Sequence, residues 1–217
     1  MKKLKCGILI TVEGIDGSGK STFIKELSKK LNNFDLILTK ESGGSNLGKY
    51  LHQLVQTQPV TVSPKAEYLL FAADRAQHIN EIVEPALKKN QLVISDRMGD
   101  SSVVYQGFAR GLGTSMINII NTWAMNNINP DLVFYLKISP KEAIKRFHNR
   151  KEELQEELTV FEKAKQNFMH KVADGYDAWF KDKQNIITLD GTKTPQELAY
   201  EAQSYIETWL TKENIYE

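Results

Sequence analysis

The sequence predicts an α/β fold in which a five-stranded parallel sheet carries helices on both faces. Short apolar, β-branched runs alternate along the chain with longer segments whose apolar residues recur at helical spacing. Parallel strands need long crossover connections, and helical crossovers cover both faces of the sheet. A chain of 217 residues can bury one core of this kind, so we expect a single domain over residues 1–217.

The predicted elements follow one another without a linker or an internal repeat. Strands are expected at Gly7–Glu13, Asp35–Thr39, Gln91–Ser95, Asp131–Ile138 and Asn185–Leu189. Helices are expected at Thr22–Leu31, Leu47–Gln56, Pro64–Lys89, Thr114–Asn127, Pro140–Arg150, Thr159–Phe180 and Pro195–Leu210. Ligands of such sheets bind outside the carboxyl ends of the strands, where most of the polar motifs of this chain fall.

A glycine-rich phosphate-binding motif, G-x-x-x-x-G-K-S, begins at Gly14, directly after the first predicted strand. Its glycines let backbone N–H groups point inward around phosphate oxygens, and the N-terminus of the next helix adds partial positive charge. Lys20 is expected to reach the β- and γ-phosphates, and the Ser21 hydroxyl to bind Mg²⁺. The motif predicts a P-loop NTPase whose nucleoside triphosphate is bound by Gly14, Ile15, Asp16, Gly17, Ser18, Gly19, Lys20, Ser21 and Thr22.

Composition argues against several other functions. The formal net charge of +1 disfavours nucleic-acid binding and a polybasic membrane anchor. Cys6 is the only cysteine, which excludes a disulfide framework and a thiolate metal cluster. The apolar run before the phosphate loop is too short for a membrane span and leads straight into that loop, unlike a cleaved signal peptide. We therefore expect a cytoplasmic enzyme without a nucleic-acid or membrane partner.

Three further motifs narrow the class of phosphate-loop protein. The sequence lacks the N-K-x-D run with which a GTPase reads guanine, and its length leaves little room for a motor or helicase. It carries T-K-E-S-G-G at 39–44, L-L-F-A-A-D-R at 69–75 and D-R-M-G-D at 96–100. In this order and at this spacing, the motifs resemble those of the thymidylate kinases, which are nucleoside monophosphate kinases. The resemblance extends from the first strand to about Pro140.

The resemblance implies phosphorylation of dTMP by Mg-ATP, with direct in-line transfer of the γ-phosphoryl group to give dTDP. The acceptor phosphate is already an anionic nucleophile, so the protein must mainly position the substrates and neutralise charge. The family also implies a homodimer that pairs through helices on one face of the sheet. Pro64–Lys89 and Thr114–Asn127 are the helices expected to contribute.

The family motifs also imply how the nucleoside of dTMP is bound. Phe71 is expected to stack on thymine, and Arg75, four residues later on the same helix face, to donate to O4 of the base. Ser102 and Gln106 are expected to contact the remaining polar edge of the base. Tyr105 is expected near the 2′ position of the sugar, where it would exclude a ribose hydroxyl.

Charged residues after the strands are suited to the phosphates and the metal. Lys40 and Arg97 each follow a strand and can converge on the acceptor phosphate. Asp96 ends an apolar strand and is expected to hold Mg²⁺ together with Ser21. The alternative for Asp96 is a helix-capping or buried paired carboxylate. Asp16 is expected to accept a hydrogen bond from the 3′-hydroxyl of the acceptor.

A charged flap, or LID, is expected near residues 146–160. The phosphate loop has no arginine between its outer glycines, so the resemblance assigns the catalytic arginine to this flap, as in bacterial-type enzymes. Arg146 and Arg150 are the candidates, and we prefer Arg150 because it borders the charged run at 151–158. The alternative is that both form i,i+4 ion pairs with neighbours such as Glu142.

Three positions depart from the family pattern, and other functions stay open. Lys40 stands for an arginine, Ser42 for a turn proline and Met98 for an aromatic residue. A nucleotide-binding regulator is one alternative, and a kinase of another nucleoside monophosphate or of a deoxynucleoside, with Glu41 as general base, is another. Surface or structurally satisfied roles are expected for His52, His78, His148 and His170, and packing roles for Trp123, Trp179 and Trp209.

Overall fold

The computed structural model describes residues 2–57, 62–153 and 160–216, with the side chains of 56–57, 147–153 and 160–166 left aside. Five parallel strands form one sheet in the order β2-β3-β1-β4-β5. Its members are β1 (Ile8–Glu13), β2 (Leu36–Lys40), β3 (Leu92–Asp96), β4 (Leu132–Lys137) and β5 (Ile186–Asp190). The predicted α/β class is confirmed, and every strand begins and ends within one residue of its predicted position.

Helices connect the strands. They are α1 (Lys20–Lys30), α2 (Asn46–Thr57), α3 (Pro64–His78), α4 (Glu84–Leu87), α5 (Gly99–Ser102), α6 (Thr114–Ala124), α7 (Pro140–Glu153), α8 (Val160–Phe180) and α9 (Pro195–Lys212). Two π-helical turns, Ile79–Val83 and Val103–Ala109, extend α3 and α5. Among the described residues, no helix is long and apolar enough to cross a membrane.

One predicted helix is interrupted in the structure, and one helical stretch has no predicted counterpart. Pro64–Lys89 is predicted as a single α-helix, but a π turn interrupts it between α3 and α4. Pro85 has no backbone N–H, so the regular i→i−4 bond cannot form where the π turn gives way to α4. The stretch Gly99–Ala109, for which no helix or strand is predicted, is helical throughout.

The core lies on both faces of the sheet, with β1 buried along its whole length. On one face, α1 and α9 pack against the central strands through side chains such as Phe23 and Ile206. On the other face, α8 covers β4, and the π turn after α3 covers β1 and β3. Because Asp96 pairs in register with both Val12 and Lys40, the polar ends of three strands meet at one edge.

The three tryptophans do not share one role. Trp179 and Trp209 pack against core clusters, as predicted. Trp123 on α6 is 78% exposed, so the prediction that it packs inside this chain is wrong. A helix register alone does not say whether its apolar face is covered by the same chain.

Candidate active site

The phosphate loop curls between the end of β1 and the start of α1. Gly19 takes a left-handed conformation (φ +93°) as the N-cap residue of α1, so the helix begins directly at Lys20. At Gly14, a Cβ atom would lie 2.7 Å from the carbonyl oxygen of Leu136 on β4. The loop therefore depends on glycine both for its turn and for its close approach to the sheet.

Lys20 lies inside the curl of this loop. Its Nζ donates to the carbonyl oxygens of Gly14 and Ile15, each at 3.1 Å, and the residue is only 7% exposed. Burial, assisted by the positive charge of Arg97, lowers the pKa of Lys20 to about 7. A phosphate group beside this amine would compensate for that loss of solvation, which suits the role expected for Lys20.

The pair expected to hold Mg²⁺ stands beside the loop. Ser21 Oγ donates to Oδ2 of Asp96 at 2.8 Å. Mg²⁺ prefers oxygen ligands and is commonly held by one or two protein groups together with substrate phosphates. Within the described residues, no group of three or more histidine, cysteine or acidic side chains could hold a metal without a nucleotide. One hydroxyl and one carboxylate beside a phosphate cradle fit a nucleotide-bound Mg²⁺.

Arg97 connects the phosphate loop to the second half of the site. Its backbone has a positive φ of 70°, and Nη1 donates to the carbonyl oxygen of Gly14 at 2.9 Å. Nη2 donates to Oδ1 of Asp16 at 2.7 Å and to the hydroxyl of Tyr105 at 3.3 Å. The guanidinium also lies 5.2 Å from the centre of the Tyr105 ring. Arg97 thus lies between the expected donor and acceptor sites.

A cavity of about 320 Å³ opens next to Arg97. Its wall includes every residue that the sequence analysis assigned to the acceptor nucleotide, namely Asp16, Lys40, Phe71, Arg75, Arg97, Ser102, Tyr105 and Gln106. Asp96 also lines it, which places the proposed metal ligand at the boundary of the cavity. Cationic groups and an aromatic ring around one cavity suit a ligand with an anionic phosphate and a flat base.

Arg75 is held in place beneath this cavity. Nε donates to Oε2 of Glu41 at 2.8 Å, Nη1 to Oδ1 of Asn121 at 2.6 Å and Nη2 to Oγ of Ser102 at 3.0 Å. Asn121 in turn accepts from the hydroxyl of Tyr68 and donates to the carbonyl oxygen of Gly99. Sequence reasoning missed Asn121, because nothing in the chain near α6 signals a partner 46 residues away.

Glu41 is poorly suited to act as a general base. Burial alone would raise the pKa of its carboxyl, but the charge of Arg75 and a hydrogen bond from His78 outweigh burial and lower it. His78 Nδ1 lies 3.0 Å from Oε1 of Glu41, and the histidine is fully buried. A strongly paired carboxylate of lowered pKa takes up a proton with difficulty, which weighs against the deoxynucleoside kinase alternative.

A second buried network supports Arg97 from behind. Glu13, the last residue of β1, accepts from the backbone N–H of Met98 at 2.9 Å and from the hydroxyls of Ser101 and Tyr176 at 2.6 and 2.8 Å. Sequence reasoning did not single out Glu13. Its signal was a carboxylate at the end of a fully buried apolar strand, where a charge needs partners.

The remaining polar residues of the cavity also have partners. Gln106 is 5% exposed, and its Nε2 donates to Oε1 of Glu67 at 3.1 Å. Glu67 also pairs with Arg110 at 3.0 Å. Because Glu67 holds the amide nitrogen of Gln106, it also fixes the direction in which the amide oxygen points.

Of the two flap arginines, the structure describes the side chain of Arg146. Arg146 reaches the phosphate loop, where its Nη1 lies 3.5 Å from the carbonyl oxygen of Ser18, and Nη2 donates to the carbonyl oxygen of Gly191 at 2.8 Å. It also forms the i,i+4 pair with Glu142, at 3.3 Å, that was considered as the alternative. The side chain of Arg150 on α7, and much of the flap predicted at 146–160, lie outside the described residues.

Comparison with known proteins gives one consistent result. The thymidylate kinase family model matches residues 12–202. The chain is 36% identical over 213 residues to the thymidylate kinase of Halothermothrix orenii, covering 95% of this chain and 99% of that protein. It is 40% identical over 189 residues to that of Caldanaerobacter subterraneus, covering 85% and 88%. For that of Prochlorococcus marinus AS9601 the identity is 42% over 200 residues, covering 84% and 92%. The chain belongs to the thymidylate kinase family.

Proposed function

We propose that this protein transfers the γ-phosphoryl group of Mg-ATP to dTMP, giving dTDP and ADP on the route to dTTP. The observation that carries this proposal is the position of Arg97 between two sites. Its guanidinium donates a hydrogen bond to Gly14 of the phosphate loop, and the same residue lines the adjoining cavity. Membership of the thymidylate kinase family supplies the identity of the acceptor. In the reaction, a phosphate oxygen of dTMP attacks the γ-phosphorus, and the bond to the β,γ-bridging oxygen breaks.

The phosphate loop binds ATP in this proposal. The N–H groups of residues 14–22 surround the phosphates, and Lys20 turns from the carbonyls of Gly14 and Ile15 to the β- and γ-phosphate oxygens. Ser21 and Asp96 would hold Mg²⁺ beside those phosphates. When bound, the ion neutralises charge that develops on the phosphate oxygens.

The cavity binds dTMP in this proposal. Lys40 and Arg97 contact the 5′-phosphate, and Asp16 accepts a hydrogen bond from the 3′-hydroxyl. Phe71 stacks on the base, while Arg75, Ser102 and Gln106 contact its polar edge. The last three side chains are buried and hydrogen-bonded among themselves or to neighbours, so little ordering is needed when the base enters. Tyr105 occupies the space beside the sugar.

In this proposal, an arginine of the flap contacts the γ-phosphoryl group during its transfer and helps to neutralise its negative charge. We propose Arg150 for this catalytic role, with Arg146 as the second candidate. Arg146 is already bonded to the carbonyls of Ser18 and Gly191, which suits an arginine that binds the donor nucleotide or stabilises the loop. Arg150 lies one helical turn further along α7, toward the flap.

We further propose that two copies form a homodimer and that the enzyme acts in the cytoplasm, where its nucleotide substrates are found. The exposure of four large apolar side chains supports the proposal of a dimer. Met116, Ile119 and Trp123 of α6 are 59%, 63% and 78% exposed, and Leu69 of the neighbouring α3 is 55% exposed. Large exposed apolar surfaces of this kind mark interaction sites.

The first experiment measures ADP release by the purified protein with Mg-ATP, alone and with dTMP, dUMP or thymidine. We expect strong release with dTMP, weaker release with dUMP and none above background with thymidine. Preference for thymidine would overturn the proposal in favour of a deoxynucleoside kinase. ATP binding without release on adding any acceptor would favour the nucleotide-binding regulator.

A further inference from the structure

A histidine lies on the wall of the acceptor cavity. His52 on α2 is partly buried and shares that wall with Lys40 and Arg97. Its Nδ1 lies 2.6 Å from Oγ of Ser42, in the loop that follows β2. In the parts of the chain that the structure describes, this is the one hydrogen bond of the ring, and Nε2 makes none there.

The loop that carries Ser42 is fixed against α2 and α3. The backbone N–H of Gly43 donates to Oδ2 of Asp74 at 3.0 Å, and Asp74 is buried. A Cβ atom on Gly43 would lie 3.3 Å from Cβ of His52, so the loop and the helix are closely packed at this point. The orientation of the His52 ring is therefore set by the loop before any ligand arrives.

Charged residues of both signs line the same cavity as His52. They belong to the end of β2, to α3, to the end of β3 and to the phosphate loop, and are Lys40, Glu41, Asp74, Arg75, Asp96, Arg97 and Asp16. Glu41 is paired with Arg75, and Asp16 with Arg97. These opposite charges largely offset each other, so an incoming phosphate dianion gains from any further positive charge on the wall.

We propose that the Ser42–His52 pair is a protonation-dependent ligand of the 5′-phosphate of the acceptor nucleotide. The proposal rests on the proposed function and adds a residue to it. In the charged ring Nδ1–H donates to Ser42 Oγ, and Nε2–H donates to a phosphate oxygen. The neutral ring has one N–H and no charge, and it binds the dianion less tightly. The phosphate dianion is therefore bound more tightly by the charged than by the neutral form of the His52 ring.

Kinetics across pH test this coupling. The KM for dTMP is measured from pH 5.5 to 8.5 for the wild type, for His52→Gln and for His170→Gln, a control at an exposed histidine of α8. Ionisation of dTMP itself affects all three proteins alike, so it cancels in the ratio of KM values. We expect His52→Gln to raise the KM about tenfold near pH 6 and by less than about twofold above pH 8. A ratio independent of pH would overturn the proposal.

A binding measurement separates this proposal from the function on which it rests. The titration midpoint of the His52 ring is followed by NMR in the free protein, with dTMP and with thymidine, which has no phosphate. We expect dTMP to move the midpoint upward, thymidine to leave it unchanged, and the midpoint of His170 to stay fixed throughout. Binding of dTMP without this shift would overturn the role of His52 alone. Failure of dTMP to bind at all would overturn the proposed function as well.

Discussion

Arg75 donates from Nε to Oε2 of Glu41 over 2.8 Å, and the two side chains are only 3% and 4% exposed. This ion pair lies beneath the cavity next to Arg97, where it joins α3 to the end of β2. Removing one member of a buried pair leaves the other charged and desolvated, so such changes are strongly destabilising. The pair therefore supports the cavity as well as lining it.

We predict that Glu41→Gln lowers the free energy of unfolding at pH 7 by about 3 kcal/mol, because Arg75 would remain buried without its counter-ion. Urea denaturation measures this change. A matched control is Glu201→Gln, which removes an exposed pair with Lys193 and is expected to cost less than about 1 kcal/mol. Equal losses in the two variants would contradict the importance of burial at Glu41.

Glu13 should make stability decrease with rising pH. Burial, together with the negative charge of Asp100, raises the pKa of its carboxyl from 4.5 to about 6. Between these values the folded protein holds a proton that the unfolded chain releases, so stability present below pH 4.5 is lost as pH rises to about 6. We expect a loss of about 2 kcal/mol over this window. It should be absent in Glu13→Gln, and parallel denaturation profiles for both proteins would contradict it.

Phe71→Ala should raise the KM for dTMP about tenfold with little change in kcat, because stacking of a base on an aromatic ring contributes about 1–3 kcal/mol. Steady-state kinetics with dTMP as the varied substrate measure the effect. Phe108→Ala is the control, since that ring is 45% exposed and belongs to the π turn after α5. An unchanged KM for dTMP in Phe71→Ala would reject the stacking role.

The two flap arginines should differ in the kinetic constant that they affect. Arg150→Ala is expected to lower kcat about 10²- to 10³-fold with a small effect on the KM for ATP, as for loss of a group that stabilises transition-state charge. Arg146→Ala is expected chiefly to raise the KM for ATP, because Arg146 contacts the carbonyl of Ser18 in the phosphate loop. An unchanged kcat in Arg150→Ala would transfer the catalytic role to Arg146.

Trp123→Asp should convert the proposed homodimer into a monomer, because it places a charge in the centre of an apolar contact. Size-exclusion chromatography with light scattering gives the mass directly. Tyr200→Asp is the control, since Tyr200 is 69% exposed on α9. A monomeric wild type, or a dimeric Trp123→Asp variant, would contradict the assignment of this face.

The sheet and the phosphate loop were predictable because their signals are local. Each strand is a short apolar run bounded by polar or glycine residues, so its ends could be placed within one residue. The phosphate loop combines a strand, a fixed glycine spacing and a helix within residues 8–30. The residues assigned to the acceptor came from motif resemblance, and they line one cavity.

The features that sequence reasoning missed depend on contacts between distant segments. Asn121 bonds Arg75 across 46 residues, and Tyr176 bonds Glu13 across 163. His52 could not be placed in the cavity, because a single histidine on a helix has no distinguishing spacing. No element was predicted for Val103–Ala109, where β-branched residues and a glycine lower helix propensity; in the structure, packing against α6 and α8 favours the helical form.

The order of the strands has a consequence for synthesis of the chain. β1 and β2 do not pair with each other, and each lies beside β3, which begins at Leu92. More than ninety residues must therefore leave the exit tunnel of the ribosome before the first two strands of the sheet can pair. Until then β1, which is buried along its whole length in the folded protein, emerges without a neighbour, so we expect nascent chains of this length to be the form that most needs a chaperone.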